Sequence, residues 1–110
     1  MSENNQRLRG MIGFAMRAGK LLIGTDIICR TMAKNKNSLK LVILASNASS
    51  GTQKRLSTKC EFYGLKMVQI NISTDELGAL LGKTYTPAAI GITDEGFAKE
   101  IEKALIGEIN

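Results

Sequence analysis

The sequence predicts an α/β fold: a three-layer α/β/α sandwich built on a four-stranded central sheet. Three observations carry this reading. Segments with apolar residues at helical spacing alternate with short apolar runs along the whole chain, and such alternation means a sheet with helices on both faces. One of those runs, LKLVILAS at 39–46, is apolar almost throughout, as a strand covered on both faces must be. The chain has 110 residues, too few for two independent cores, so residues 1–110 are read as one domain.

From Leu8 the apolar residues Leu8, Met11, Ile12, Ala15 and Met16 recur at three and four and predict the first helix, with Gly19 where a C-terminal cap belongs. Gly10 and Gly13 lie inside it, at a cost of about 1 kcal/mol each relative to alanine, and close packing on a sheet would be a reason to keep them. Leu21–Ile23 reads as a short strand. Thr25 or Asp26 then caps a helix to about Lys34. After the strand at 39–46, Ser49–Thr52 offers caps for a helix through about Tyr63 that Gly64 ends. KMVQINI at 66–72 is the third strand. Ser73-Thr74-Asp75-Glu76 has the pattern of a capping box and opens a short helix through Leu81, stopped by Gly82. After the loop KTYTP comes AAIGI, a small buried strand. Thr93 caps a last helix with Phe97, Ile101 and Leu105 on its inner face.

Composition narrows the function. Hydrophobic residues make up 44% and charged residues 23%, a globular balance and not a disordered one. The longest apolar stretch, Leu41–Ala45, is far short of a membrane span, and the polar opening MSENNQRLRG is unlike a secretory signal, so the cytoplasm is the expected compartment. There is no histidine, which removes Ser-His and Cys-His catalysis. Cys29 and Cys60 are not spaced as a ligand pair, so they are expected to pack as small apolar groups, and no metal or cofactor is expected. Charge is unevenly placed. Residues 1–60 hold eleven of the fifteen Lys and Arg and two of the ten acidic residues, a net +9; the remainder, with four and eight, carries −4. Such asymmetry points to a polyanionic partner, nucleic acid first.

Two motifs fail on physical grounds. GALLGKT at 78–84 has one residue too few for a phosphate-binding P-loop and follows a helix instead of leading into one. Gly10-Met11-Ile12-Gly13 has the letters of the GxxG loop of KH domains but sits in an apolar-periodic helix. The stretch LLIGTDIICRTMAK at 21–34 is the better candidate. Gly24 lets a partner approach the backbone, and the amides of the new helix face outward at its positive end. Asp26, Arg30 and Lys34 fall four apart on one stripe, with Lys20 at the other end of the strand; an Asp26–Arg30 pair would be the plain structural explanation.

AGKLLIGTDIICRTMAKNKNSLKLVILASNAS at 18–49 resembles the kink-turn-binding ribosomal-protein superfamily, the archaeal large-subunit protein "seven-Ae" and its "thirty-e" relatives, and among them the small bacterial members of unassigned role. Glu76–Gly82, followed by a loop and Ala88–Ile92, is a second signature at the expected distance, and the resemblance runs from about Leu8 to Phe97. It implies that the turn into the second helix and the loop before the last strand together grip a kinked RNA. Gly24, Thr25, Asp26 and Arg30 would form one half of the site, Lys83, Thr84, Tyr85, Thr86 and Pro87 the other, with Ser46 and Asn47 nearby. Where the archaeal pattern has Asn-Glu, this chain has Asp26 and Ile27; Asp26 accepts hydrogen bonds but cannot donate them, and Ile27 does neither. Arg30 keeps the positive charge and can reach guanine O6 and N7. The expectation is therefore a non-enzymatic protein that binds structured RNA, an rRNA or mRNA element, on or near the ribosome. Lys20 and Lys34 are expected to meet phosphates, and Lys54, Arg55 and Lys59, on another helix, to add charge at most. The rival class is a protein-interaction or regulatory module on the same fold; a nucleotide binder using GKT is a third.

Overall fold

The computed structural model describes residues 3–109. Helix α1 spans Glu3–Arg17, strand β1 Leu21–Ile23, α2 Thr25–Asn35, β2 Leu41–Leu44, α3 Ser50–Tyr63, β3 Met67–Gln69, α4 Thr74–Leu80, β4 Ala89–Ile92 and α5 Glu95–Ile109. A single 3-10 turn, Lys36–Ser38, joins α2 to β2. The four strands form one sheet in the order β1-β4-β2-β3, so the last strand in sequence is wedged between the first two. β4 runs antiparallel to both neighbours, and β2 and β3 are parallel.

Strand position explains strand composition. β2 and β4 are central and every residue of both is buried, whereas β1 and β3 form the edges and are only partly covered. The expected central strand at 39–46 is ladder-paired only over Leu41–Leu44, and the expected 66–72 only over Met67–Gln69. The shortening reflects the partner and not the pattern. Beyond the ladder the backbone still bonds locally, from Ile70 N to the Leu44 carbonyl and from Ser46 N to the Ile72 carbonyl, and Ile70 and Ile72 turn into the core.

Helices cover both faces. One core, beneath α1, α4 and α5, contains Leu8, Ile12, Leu77, Ile101 and Ala104 against Leu41, Ile43, Ile90 and Ile92. The other, beneath α2 and α3, contains Ile28, Met32, Leu56 and both cysteines against Val42, Leu44 and Ala89. The alternation of inward positions along β2, Leu41 and Ile43 to one side and Val42 and Leu44 to the other, is the period of two that a doubly covered strand shows. Gly91 of β4 faces α2 so closely that a Cβ there would stand 2.7 Å from Leu39 Cδ2 and 3.3 Å from Ile28 Cγ1.

Most local start and stop signals behave as expected. Ser49 Oγ accepts from Thr52 N and opens α3, and Gly64 closes it at φ 70°. Ser73 and Glu76 complete a reciprocal capping box on α4. Two caps differ. Asp94, not Thr93, caps α5 by accepting from Phe97 N at 3.0 Å, while Thr93 N is used by the sheet, donating to the Lys20 carbonyl. Neither Thr25 nor Asp26 caps α2: the N-cap is Gly24, which provides no side chain. Gly10 and Gly13 also do not sit against the sheet backbone; a Cβ at Gly10 would meet nothing, and one at Gly13 only the Arg17 side chain at 3.5 Å.

Candidate nucleic-acid interface

Strand direction brings three turns to one end of the sheet. Because Ile23 pairs with Ile90 and Leu44 with Ala89, the ends of β1 and β2 lie beside the start of β4. Two backbone hydrogen bonds lock the junction: Gly24 N donates to the Ala89 carbonyl at 3.0 Å, and Ala45 N to the Ala88 carbonyl at 2.9 Å. The turn at Gly24, the turn at Ser46–Asn47 and the loop before β4 are thus neighbours, as the site expectation required.

Each turn has its own local cause. At Gly24 the strand passes into α2 with no linker, at φ 113° and ψ 150°, a backbone shape that side chains rarely adopt. No side chain caps the helix there, so its first-turn amides keep their dipole and their donors directed out of the helix end. The second turn is braced from behind. Gln69 Nε2 donates to the Ala45 and Ser46 carbonyls, and Asn47 Oδ1 accepts from Thr74 N at 2.8 Å, so Asn47's acceptor is committed to the first turn of α4.

The loop before β4 rests on a glycine. α4 ends in Gly82 at φ 68°, and Lys83 N donates back to the Gly78 carbonyl. A Cβ on Gly78 would lie 2.6 Å from the Tyr85 carbonyl oxygen, so only glycine lets the loop lie on this helix. Pro87 is buried beneath, while Lys83, Thr84, Tyr85 and Thr86 stand exposed at the rim. Tyr85, with 53% of its surface exposed, presents an aromatic ring of the kind on which unpaired bases stack. The GKT letters therefore belong to a helix C-terminus and a loop, the reverse of a phosphate-cradling turn.

Other residues fall elsewhere. Lys20 precedes β1 and its carbonyl accepts from Thr93 N, which puts it at the opposite end of the sheet, about 13 Å of strand from Gly24. Lys34 lies in the last turn of α2, about 13 Å along the helix from Thr25. Arg30 is exposed between the two. Asp26 does not pair with Arg30. Its carboxylate is met by Arg55 Nη1 of α3 at 3.1 Å. Arg55 and Lys59 then line one shallow hollow with Asp26, Cys29, Arg30 and Ala33. Sequence alone does not bring them together, because it gives no strand order; its one signal is that Arg55 and Lys59 repeat the four-residue spacing of Asp26 and Arg30.

Two titrating groups are displaced. Glu76 is held down to about 2 by the Ser73 backbone amide first, then by Arg9 and the Ser73 hydroxyl. Cys60 is pushed up to about 11, chiefly by burial and then by neighbouring Cys29. Both thiols are buried and free, so they are inert packing groups in the α2/α3 core. Among the described residues no three His, Cys, Asp or Glu side chains are grouped to hold a metal ion, and no helix is long and apolar enough to cross a membrane.

Residues 6–102 match the model of the ribosomal protein L7Ae/L30e/S12e/Gadd45 family. The chain belongs to this family. It is 33% identical over 104 residues to the RNA-binding protein YlxQ of Enterococcus faecium, a match covering 94% of this chain and 96% of that one. It is 29% identical to the large ribosomal subunit protein eL30 of Sulfolobus acidocaldarius, covering 89% and 92%. Among solved structures, a protein of unknown function from Bacillus halodurans superposes with a TM-score of 0.80 at 28% identity, covering 90% of this chain and 96% of that one. The Giardia lamblia 15.5kD RNA binding protein shares the fold, with a TM-score of 0.73 at 18% identity over 96% and 91% of the chains. The family assignment agrees with the resemblance read from the two sequence signatures, and each signature contributes a turn to the converged end of the sheet.

Proposed function

We propose that this protein is a non-enzymatic, cytoplasmic RNA-binding protein that grips a kinked, guanine-containing RNA at the converged end of its sheet, on or near the ribosome. The observation that carries the reading is the pairing of an uncapped helix N-terminus at Gly24 with the exposed loop 83–86, held by the hydrogen bond from Gly24 N to the Ala89 carbonyl at the loop's end. That pairing occurs in a chain whose relatives include proteins named for RNA binding.

The physical division of labour follows from donor type. The amides of Thr25 and Asp26 offer donors at a positive dipole end, suited to phosphate or to an exposed base edge. Arg30, one turn further on, presents the planar fork that fits guanine O6 and N7. Tyr85 supplies a stacking surface, Lys83 charge, and Thr84 and Thr86 hydroxyls. Gly78, Pro87, Ser46 and Asn47 set the positions of the turns, and Lys34 meets backbone further out. Lys20, at the opposite end, has no part in this grip.

The test is titration of the protein with a kinked guanine-containing RNA and with a plain duplex of equal length, at one salt concentration. Tighter binding of the kinked RNA is expected. Equal affinity for the two would reject the reading.

A further inference from the structure

β1 and β2 are both antiparallel to β4, so they point the same way, and α2 and α3 both begin at the converged end and run back along the same face of the sheet. Their facing stripes are matched. Asp26 and Arg30 are four residues apart on α2, Arg55 and Lys59 four apart on α3, and each step climbs about 6 Å. Asp26 bridges to Arg55, which places the second pair beside the first. Between them lies an open hollow of about 410 Å³ lined by Arg30, Arg55 and Lys59, and across Arg30 a second hollow reaches Lys34. Four cations therefore line the two hollows against one carboxylate, and that carboxylate is already paired.

We propose that the groove between α2 and α3 is a track for one strand of RNA backbone leaving the gripped kink, with Arg55 and Lys59 on successive phosphates and Asp26 positioning Arg55. The inference rests on the RNA-gripping reading above and extends it from the sheet end down the helical face. The groove is open, and among the described residues none of the large exposed apolar side chains, Phe14, Phe62, Tyr85 and Ile106, lines it. A protein partner would need an apolar centre there; a phosphate backbone needs only spaced cations. Its head is continuous with the first turn of α2, so a strand held at Gly24 has an electropositive path already laid out. Asp26 has a second role in this arrangement. By bonding Arg55 through one nitrogen it leaves the remaining N–H donors of the guanidinium for a phosphate, with the fork held still.

The experiment is a salt series with the full chain and three RNAs: a kink flanked by two long stems, and the same kink with either stem trimmed. Lys59→Gln and Arg55→Gln are compared with Lys99→Gln, a cation on α5 across the sheet that pairs with Glu95. The expected result is that each groove variant flattens the slope of log K against log salt by about 0.7–0.9 on the long RNA and leaves it unchanged when one particular stem is trimmed. Lys99→Gln should change neither. Thermal melts keep a folding defect in Arg55→Gln from being mistaken for lost contact, and Lys59 carries no ion pair among the described residues. If the wild type prefers the kinked RNA but the groove variants match Lys99→Gln throughout, the track is overturned and the grip stands. Equal slope losses on all three RNAs also overturn it, because the contact would then follow no stem. A wild type that does not prefer the kink rejects the grip instead, and a stem-dependent slope change in the same data would still locate backbone in the groove.

Discussion

The two helical layers treat charge in opposite ways. Of the six ion pairs among the described residues, five lie on the side of α1, α4 and α5 or tie an edge strand to it: Arg7–Glu100, Arg9–Glu76, Lys66–Glu102, Lys99–Glu95 and Lys103–Glu100. The layer of α2 and α3 has Asp26–Arg55 alone, while Arg30, Lys34, Lys54 and Lys59 enter no ion pair there. One face uses its charges to knit helices together, and the other holds them out. Net charge alone conceals this, because +5 is a sum that pools a neutralised face with a basic one. Surface pairs are individually weak, so the knitted face gains little stability from each; what it loses is attraction for a polyanion.

The largest effect expected from breaking this arrangement comes where the loop before β4 lies on α4. Gly78→Ala forces a Cβ to within 2.6 Å of the Tyr85 carbonyl, a backbone atom that must move. Overpacking of this kind costs about 1–3 kcal/mol of stability, partly offset by alanine's better helix propensity. The loop 83–86 would shift with it, so affinity for kinked RNA should fall more than stability does. Denaturant unfolding and RNA titration on the same sample check both; unchanged affinity would mean that the loop does not touch RNA.

Arg30→Ala comes next and should separate the faces most cleanly. It should cost about 1–3 kcal/mol of binding and erode the preference for kinked RNA over duplex, with little change in melting temperature. Lys54→Ala, on the same layer but outside the hollow, should weaken both RNAs slightly and equally. The Arg30 change is not confounded by loss of the Asp26 pair, because that carboxylate belongs to Arg55. Arg30→Lys sharpens the result by preserving charge without the planar fork. Should Arg30→Ala and Lys54→Ala behave alike, the first turns of α2 do not read bases.

The knitted face predicts a pH dependence of its own. Glu76 has a folded pKa of about 2, against an ordinary 4.5, because its charged form accepts from the Ser73 amide and from Arg9. A depressed carboxylate stabilises the fold above its unfolded pKa, and that contribution is lost as pH falls from about 4.5 to 2. Acid unfolding of Glu76→Gln should therefore be less steep than that of wild type in this window. Identical acid profiles would show that the capping box contributes nothing through its charge.

What the sequence disclosed divides along the same physical line. Several interactions closed within four residues were legible, Ser49 with Thr52, Ser73 with Glu76, the turn glycine Gly64 and the doubly buried run Leu41–Leu44, while the caps of α2 and α5 were not. That the Gly24 turn, the Ser46–Asn47 turn and the loop before β4 meet was also legible, through the two signatures. Facts that depend on strand order were not. Lys20 is no such case, since it reads from sequence at the other end of the strand from Gly24 and the register of β1 on β4 places it there. Arg55 was set apart from Asp26 because 29 residues separate them, and only the parallel course of β1 and β2 makes them neighbours. Glycines were the subtlest. Gly10 and Gly13 in α1 suggested close packing, but Gly78 and Gly91 are where neighbours press.

That last distinction yields the smallest prediction and the one with the opposite sign. Gly10 lies mid-helix and exposed, and apart from the backbone of its own helix nothing comes within 4 Å of the place its Cβ would take. Its φ is not in the left-handed region, so alanine fits without strain. Alanine also narrows the unfolded ensemble that glycine keeps broad. Gly10→Ala should thus stabilise the protein by about 0.4–1 kcal/mol. Because α1 lies on the knitted face, away from Gly24 and the loop before β4, affinity for RNA should not move. Denaturant midpoints with unchanged m-values would show the gain as stability and not as a change in compactness. A loss of stability in Gly10→Ala would mean that α1 needs its glycine after all, for a contact made outside the folded monomer. The same substitution at Gly78, with equal gain in helix propensity, should do the reverse, and the difference between the two measures how tightly the loop is pressed onto α4.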